Sequence, residues 1–463
     1  MKTFLRLPLA FLALLCCLLG CRGGRGGASE GASLHDLTQI KDSGELVVLT
    51  LYGSTSYFNY RGQEMGFQYE LAQQFASSLG LKLRVKVAAN VPELMTKLQA
   101  EEGDLIAYPL PVTKERKDSL RYCGEEFITH QVIVQRQLGK KTLTDVTQLV
   151  GKEVYVKPGK HYTRLVNLNN ELGGGILIRE VTSDSVSTED LIAEVAAGRI
   201  AYVVADNDVA KLNTTYYPGL NIRLAISFDQ RSSWAVRKEC VELADTVNHW
   251  QRENKASPTF TASVKRYFEF SKILPHSPIL SLREGKISHY DPLFKKYAKE
   301  IGWDWRLLAS LAYTESHFDT TLVSWAGARG LMQLMPSTAR AMGMPPGKEQ
   351  NAEESVKAAC KYIEAANRSF RMVTDERERI RFVLAAYNAG TGHIYDAMAL
   401  AEKYGKDKLV WEDNVEKYIL LKSNEEYYND PVCRNGYFRG VETYNFVREI
   451  MTRYDIYRKK IAG

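Results

Sequence analysis

The stretch "LASLAYTESHFD", Leu308–Asp319, decides how the second half of this chain is read. Leu308, Leu311, Ala312 and Glu315 fall at i, i+3, i+4 and i+7, so the one glutamate shares the helix face that packs inward. Burial disfavours a carboxylate anion. The proton affinity of such a group rises toward neutrality, which is what general acid–base chemistry needs. Around this segment, from Leu293 to Ala462, strand signals nearly vanish and helical runs such as "NAEESVKAACKYIEAANRSF" and "ERERIRFVLAAYNAG" take over. A mostly α domain is expected over residues 291–463.

Upstream the pattern changes. Between Glu45 and Arg237 short β-branched runs ("ELVVLTLY", "LKLRVKVA", "LIAYPL") alternate with helical ones ("FQYELAQQFASSLG", "VPELMTKLQAEEGD"). That alternation predicts parallel sheets covered by helices. It restarts near residue 145 with "VTQLVGKEVYVKPGKHYTRLVNL" and continues through "AAGRIAYVVADNDVAKL", so two α/β lobes are expected over residues 36–270. Residues 271–290, proline-bearing and without helical period, read as the connection.

The chain of 463 residues has room for two such domains, each with its own core. Lys and Arg number 61 against 55 for Asp and Glu, and they are scattered, which argues against nucleic acid as a partner. At the start, Lys2 and Arg6 precede the apolar run Leu7–Leu19, too short to span a bilayer and matching a secretory leader over residues 1–20. "RGGRGGASEGAS" then reads as a flexible tether within residues 21–35. Outside the leader and Cys21, the cysteines are Cys123, Cys240, Cys360 and Cys433, with no CxxC and no Cys/His cluster. No metal and no cofactor is expected, and within-domain disulfides or free thiols both stay open.

Three resemblances follow from particular residues. "LLGC", Leu18–Cys21, resembles a bacterial lipobox, which implies lipidation of Cys21. Arg22 after it, rather than Asp, implies an outer-membrane, periplasm-facing position. Over about residues 40 to 268 the segment order resembles the family-3 solute-binding proteins. There "VTKER" supplies Thr113 and Arg116, the Arg offering a carboxylate two parallel donors, and "VVADND" supplies Asp206 for a ligand ammonium. Pro109 and Pro111, with Lys160 and His161 in "PGKHY", depart from that pattern. The implied ligand is a free amino acid, a small peptide or a muropeptide.

"ESHF" (Glu315–Phe318), "GLMQLMPSTA" (Gly330–Ala339) and "AYNAG" (Ala386–Gly390) together resemble the goose-lysozyme-like domain of soluble lytic transglycosylases. The resemblance makes Glu315 the sole catalytic acid/base. It places Ser324 near that carboxyl and Gln333, Tyr387 and Asn388 along a saccharide groove. "ETYNFV" carries Phe446 where the family shows Tyr, leaving Tyr444 or Tyr437 to supply a hydroxyl; Tyr444 is the expected substrate contact. Lipobox, binding domain and transglycosylase domain in that order resemble the membrane-bound lytic murein transglycosylase F type. The implied reaction cleaves peptidoglycan at the MurNAc–GlcNAc bond with 1,6-anhydro closure. A muramidase-type hydrolase and a non-catalytic binding lipoprotein are the alternatives.

Overall fold

The computed structural model describes residues 35–183, 186–270, 282 and 285–461. The leader, Cys21, nearly all of the tether and most of the connecting segment lie outside these residues. The described residues form twelve strands: β1 (Glu45–Leu51), β2 (Phe58–Tyr60), β3 (Gln63–Met65), β4 (Lys82–Ala88), β5 (Leu105–Pro111), β6 (Leu120–Thr129), β7 (Gln131–Arg136), β8 (Glu153–Val156), β9 (Leu177–Glu180), β10 (Tyr202–Asp206), β11 (Leu220–Ala225) and β12 (Gln230–Arg237). Two five-stranded sheets result, ordered β4-β1-β5-β12-β6 and β11-β7-β10-β8-β9, and β2 with β3 makes a separate hairpin.

The expected parallel pairing holds for β4-β1-β5 and for β10-β8-β9. It fails for β12 against β5 and β6, and for β7 against β10 and β11, which are antiparallel. The reason is connectivity. The chain leaves the first lobe at His130 and returns from the second at Ile226–Asp229, so a strand arriving from the other lobe runs against its neighbours. The two crossings lie side by side: Gln131 donates N–H to Ser227 Oγ (2.8 Å), and Ile226 N–H donates to Gln131 C=O (2.8 Å). Two adjoining crossings between lobes form a hinge.

The second domain is helical, and its core gathers around the helix Trp305–Ser316. Asp304 starts that helix by accepting from the Arg306 N–H, and His317, at φ +50°, ends it. Leu308, Leu311 and Ala312 are fully buried among side chains such as Phe382, Val447 and Ile450. Burial of each large apolar side chain stabilises the fold by roughly 1.5–3 kcal/mol. The helices Asp291–Glu300 and Gly440–Lys460 pack against it, and Glu376–Ala389 packs on the last of these. Lys422 is wholly buried, which is tolerable because it is paired with Asp396, whose oxygens also accept from the Arg434 and Asn435 N–H groups. Of the alternatives left open for the cysteines, the structure has the free one: Cys123, Cys240, Cys360 and Cys433 are each unpaired.

Candidate active site

Glu315 sits at the last turn of its helix, 6 % exposed. Beyond it the chain turns sharply: His317 and Phe318 both adopt left-handed backbone, at φ +50° and +67°, and across the site Gln333 does so at +46°. Such conformations cost of order 1–3 kcal/mol for residues other than glycine and gather where surrounding structure fixes a functional geometry. The segment "GLMQ" is held from behind. Ser316 Oγ donates to Leu331 C=O (2.7 Å), and Met332 N–H donates to Ser355 Oγ (3.1 Å). Gly330 cannot be replaced easily: at φ +75°, a Cβ there would stand 2.0 Å from Glu349 O.

Tyr387 and Asn388 come from the end of the helix Glu376–Ala389. Tyr387 is buried and donates its hydroxyl to Met332 C=O (2.7 Å), which ties the two motifs together. Asn388 Oδ1 accepts from Thr443 Oγ (2.6 Å), a residue with no exposed surface on the helix Gly440–Lys460. Gln333 lies in the wall but turns its amide into the loop, donating to Leu322 C=O (3.0 Å) and Gly330 C=O (2.8 Å). Ser324 Oγ accepts from the Ala328 N–H (3.0 Å), closing the turn that carries Trp325. Asp319, four residues after Glu315, is a loop-capping residue that accepts from Thr321 N and Oγ.

The residue that sequence reasoning missed is Arg61. It belongs to the first domain, at the tip of the β2–β3 hairpin, where Arg61 and Gly62 both have left-handed backbone (φ +49° and +74°). A two-residue loop of that geometry matches the twist of the flanking strands. The hairpin reaches into the second domain. Arg61 Nη2 donates to both Glu315 oxygens, at 3.1 and 3.2 Å, and Nη1 donates to Gln333 C=O at 2.8 Å. Gln63 Nε2 donates to Ser337 Oγ (2.7 Å), and His393 Nε2 meets Asn59 C=O (3.0 Å). The Tyr60 ring lies 5.4 Å from that of Trp325. At Gly390, a Cβ would be 3.5 Å from Gly62 N, so the tip runs close along the "AYNAG" backbone.

Burial raises the Glu315 carboxyl to about 7, and it does so although Arg61 pulls in the opposite direction. Burial acts on Arg61 to lower its proton affinity, and Glu315 together with Tyr60 and Tyr387 more than reverses that, so the guanidinium stays charged. Neither of the two candidate tyrosines stands beside Glu315. Tyr444 lines a polar depression with Arg377, Arg381 and Glu412, and Tyr437 donates its hydroxyl to Glu189 of the second lobe (2.9 Å). Phe446 is core.

Residues 292–410 match the family model described as Transglycosylase SLT domain, and residues 47–270 match that of bacterial extracellular solute-binding proteins, family 3. The chain is 33 % identical over 433 residues to the membrane-bound lytic murein transglycosylase F of Desulfosudis oleivorans, covering 93 % of both chains. It is 32 % identical to the protein of that name from Pseudomonas fluorescens Pf-5, over 91 % of this chain and 86 % of the relative. The chain belongs to the membrane-bound lytic murein transglycosylase F family. Among solved structures, an ArgBP mutant from T. maritima aligns at 26 % identity and a TM-score of 0.37, covering 50 % of this chain and 97 % of that one.

In this transglycosylase the solute-binding domain carries a partly buried acid whose surroundings shift it the other way. Asp206 begins the helix Asn207–Tyr216 without a side-chain capping bond; its carboxylate instead meets Lys160 Nζ (2.7 Å) and His161 Nε2 (3.2 Å). Burial would raise this group, but His161 and Lys160 outweigh it and bring it to about 2. Thr113 caps the short turn after β5, and Arg116 Nη1 donates to Pro111 C=O (3.1 Å) while staying half-buried. The two lobes and the catalytic domain meet at Glu189, which accepts from Ser54 Oγ, Tyr437 OH and Arg439 Nη1.

Proposed function

We propose that this lytic transglycosylase cleaves the β-1,4 bond between MurNAc and GlcNAc with Glu315 as its one acid/base, and that the conformation described is its latent form. The observation that carries the reading is a buried carboxyl near neutrality, at the meeting of the "ESHF", "GLMQ" and "AYNAG" segments, closed off by an arginine from another domain. Once Arg61 withdraws, protonated Glu315 gives its proton to the glycosidic oxygen. The sugar's 2-acetamido group stabilises the charge growing at C1. Ionised Glu315 then takes the proton of the C6 hydroxyl, whose oxygen bonds to C1 and closes the 1,6-anhydro ring. Glycosidases that use water flank the bond with two carboxyls. Here nucleophile and centre share one sugar, and the effective molarity of an intramolecular attack replaces the second carboxyl.

Tyr387 and Asn388 form the saccharide wall in this reading, Gln333 and Ser324 shape the loops beside Glu315, and Tyr444 is an outer substrate contact. Thr113, Arg116 and Asp206 take a free amino acid, a small peptide or a muropeptide, and closure of the lobes on it pulls at Glu189 and draws the hairpin out. Cys21 carries the lipid, which puts the enzyme on the periplasmic face of the outer membrane. Among the described residues no helix is long and apolar enough to cross a membrane, in keeping with a lipid anchor.

Mass spectrometry of digested sacculi tests the reaction. Anhydro closure gives products lighter by one water than hydrolysis does, and Glu315→Gln should release neither. Reducing ends alone would make the enzyme a hydrolase.

A further inference from the structure

Resting on the latency reading, we infer that the β2–β3 hairpin occupies the glycan groove on contacts the glycan itself uses, so that His393 and Ser337 bind saccharide once the hairpin leaves. Along the hairpin, the contacts of Asn59 with His393 and of Gln63 with Ser337 flank the one that Arg61 makes with Glu315. Ser337 stands four residues after Gln333, at the end of the "GLMQ" segment, and His393 three residues after Gly390, at the end of "AYNAG". A glycan strand whose scissile bond lies over Glu315 must pass the same two walls.

The His393 side is built rather than incidental. The ring is 2 % exposed and stacked on Phe438, with centroids 4.4 Å apart at 24°. Burial, with Lys422 adding to it, keeps the imidazole neutral far below physiological pH. A neutral ring has one N–H, and facing a carbonyl it must be on Nε2, so His393 is a fixed donor. In the latent form that donor is satisfied by Asn59 C=O. Withdrawing the hairpin would leave it at the edge of the emptied groove, and a buried donor left unsatisfied is costly. A sugar hydroxyl or acetamido carbonyl is the same kind of acceptor. On the opposite wall, Ser337 Oγ, released from Gln63, offers a hydroxyl to a ring substituent. The hairpin thus displaces substrate by equivalent hydrogen bonds.

The test uses the full-length protein and soluble, uncross-linked murein glycan chains, with kcat and KM measured separately. Arg61→Ala releases the groove and raises turnover. In that background, His393→Phe, which keeps the ring on Phe438 but removes the donor, and Ser337→Ala each raise KM roughly fivefold, one neutral hydrogen bond. Their kcat changes little and the product stays anhydro. In the otherwise wild-type protein the same two substitutions raise turnover, because they also loosen the hairpin. This reversal of sign between backgrounds is the signature. Unchanged KM for both variants in the Arg61→Ala background overturns the inference and leaves His393 and Ser337 as hairpin anchors alone. Unchanged turnover of Arg61→Ala overturns instead the latency reading beneath it. Ser337 is only half-buried, so its variant stays informative if His393→Phe folds poorly.

Discussion

Two carboxyls of this chain, the buried Glu315 and the partly buried Asp206, are shifted in opposite directions. Glu315 is raised to about 7 by burial, with one arginine, from another domain, as its partner. Asp206 is brought down to about 2 by His161 and Lys160 of its own lobe, which outweigh its burial. An acid meant to hand a proton over and take it back must be near neutrality, and its counter-charge must be removable. A fixed anion needs neither. The difference is the one expected between the proposed proton-transfer site and the proposed binding site, in chemical terms independent of fold.

The largest effect that tests this contrast is on Glu315 itself. Glu315→Gln should lower anhydro-muropeptide release from sacculi roughly 10²- to 10⁴-fold, the usual contribution of a general acid–base group, with the thermal melt still cooperative. Residual activity within a few-fold of wild type would falsify the assignment. Next comes Arg61→Ala. A hydrogen bond between charged groups contributes about 1.5–3 kcal/mol. Losing it should shift the population toward the open form and speed turnover about 10- to 100-fold. Because Arg61 pulls the Glu315 carboxyl downward, the variant should also stay active to higher pH than the wild type. The rate falls where the general acid loses its proton, and that loss comes later without the guanidinium.

Asp206 should show the reverse sign. Its folded value lies below the ordinary 3.8, so it adds stability above that pH, and the gain disappears as pH falls toward 2. Urea melts should show wild type losing about 2 kcal/mol between pH 5 and pH 2 that Asp206→Asn does not lose. Parallel curves for the two proteins would mean that Lys160 and His161 do not hold the anion. The smallest effect is expected at Thr443, which fixes the amide of Asn388. Thr443→Val should raise KM a few-fold, about one hydrogen bond, and Thr443→Ser should restore it. Equal KM in all three would leave Thr443 without a positioning role.

How much of this could be read from the chain follows the range of the interactions. The inward face of Leu308–Glu315 is written in local spacing, and the helix buries those residues together. The two lobes were legible for the same reason, from alternating runs. Strand direction was not. Whether β12 runs parallel or antiparallel to β5 depends on where the chain re-enters the first lobe, a long-range fact that β-branched residues do not encode. The sequence favours Tyr444 over Tyr437 as the substrate hydroxyl, but only packing shows that one lines a polar depression and the other reaches Glu189. Arg61 was beyond reach altogether. "NYRGQ" announces a tight turn, but its partner lies 254 residues away in another domain. Lys160 and His161 depart from the family pattern in sequence, and the structure gives them a partner in Asp206.

The account turns on one proton affinity, and carbon-13 NMR of the glutamate side-chain carboxyls, with the Glu315 signal assigned by its loss in Glu315→Gln, measures it directly. A titration midpoint near 7 in the wild type, moving higher in Arg61→Ala, is the predicted result. A midpoint near the ordinary 4.5 in both proteins would contradict the claim that burial readies this carboxyl and that the hairpin arginine restrains it.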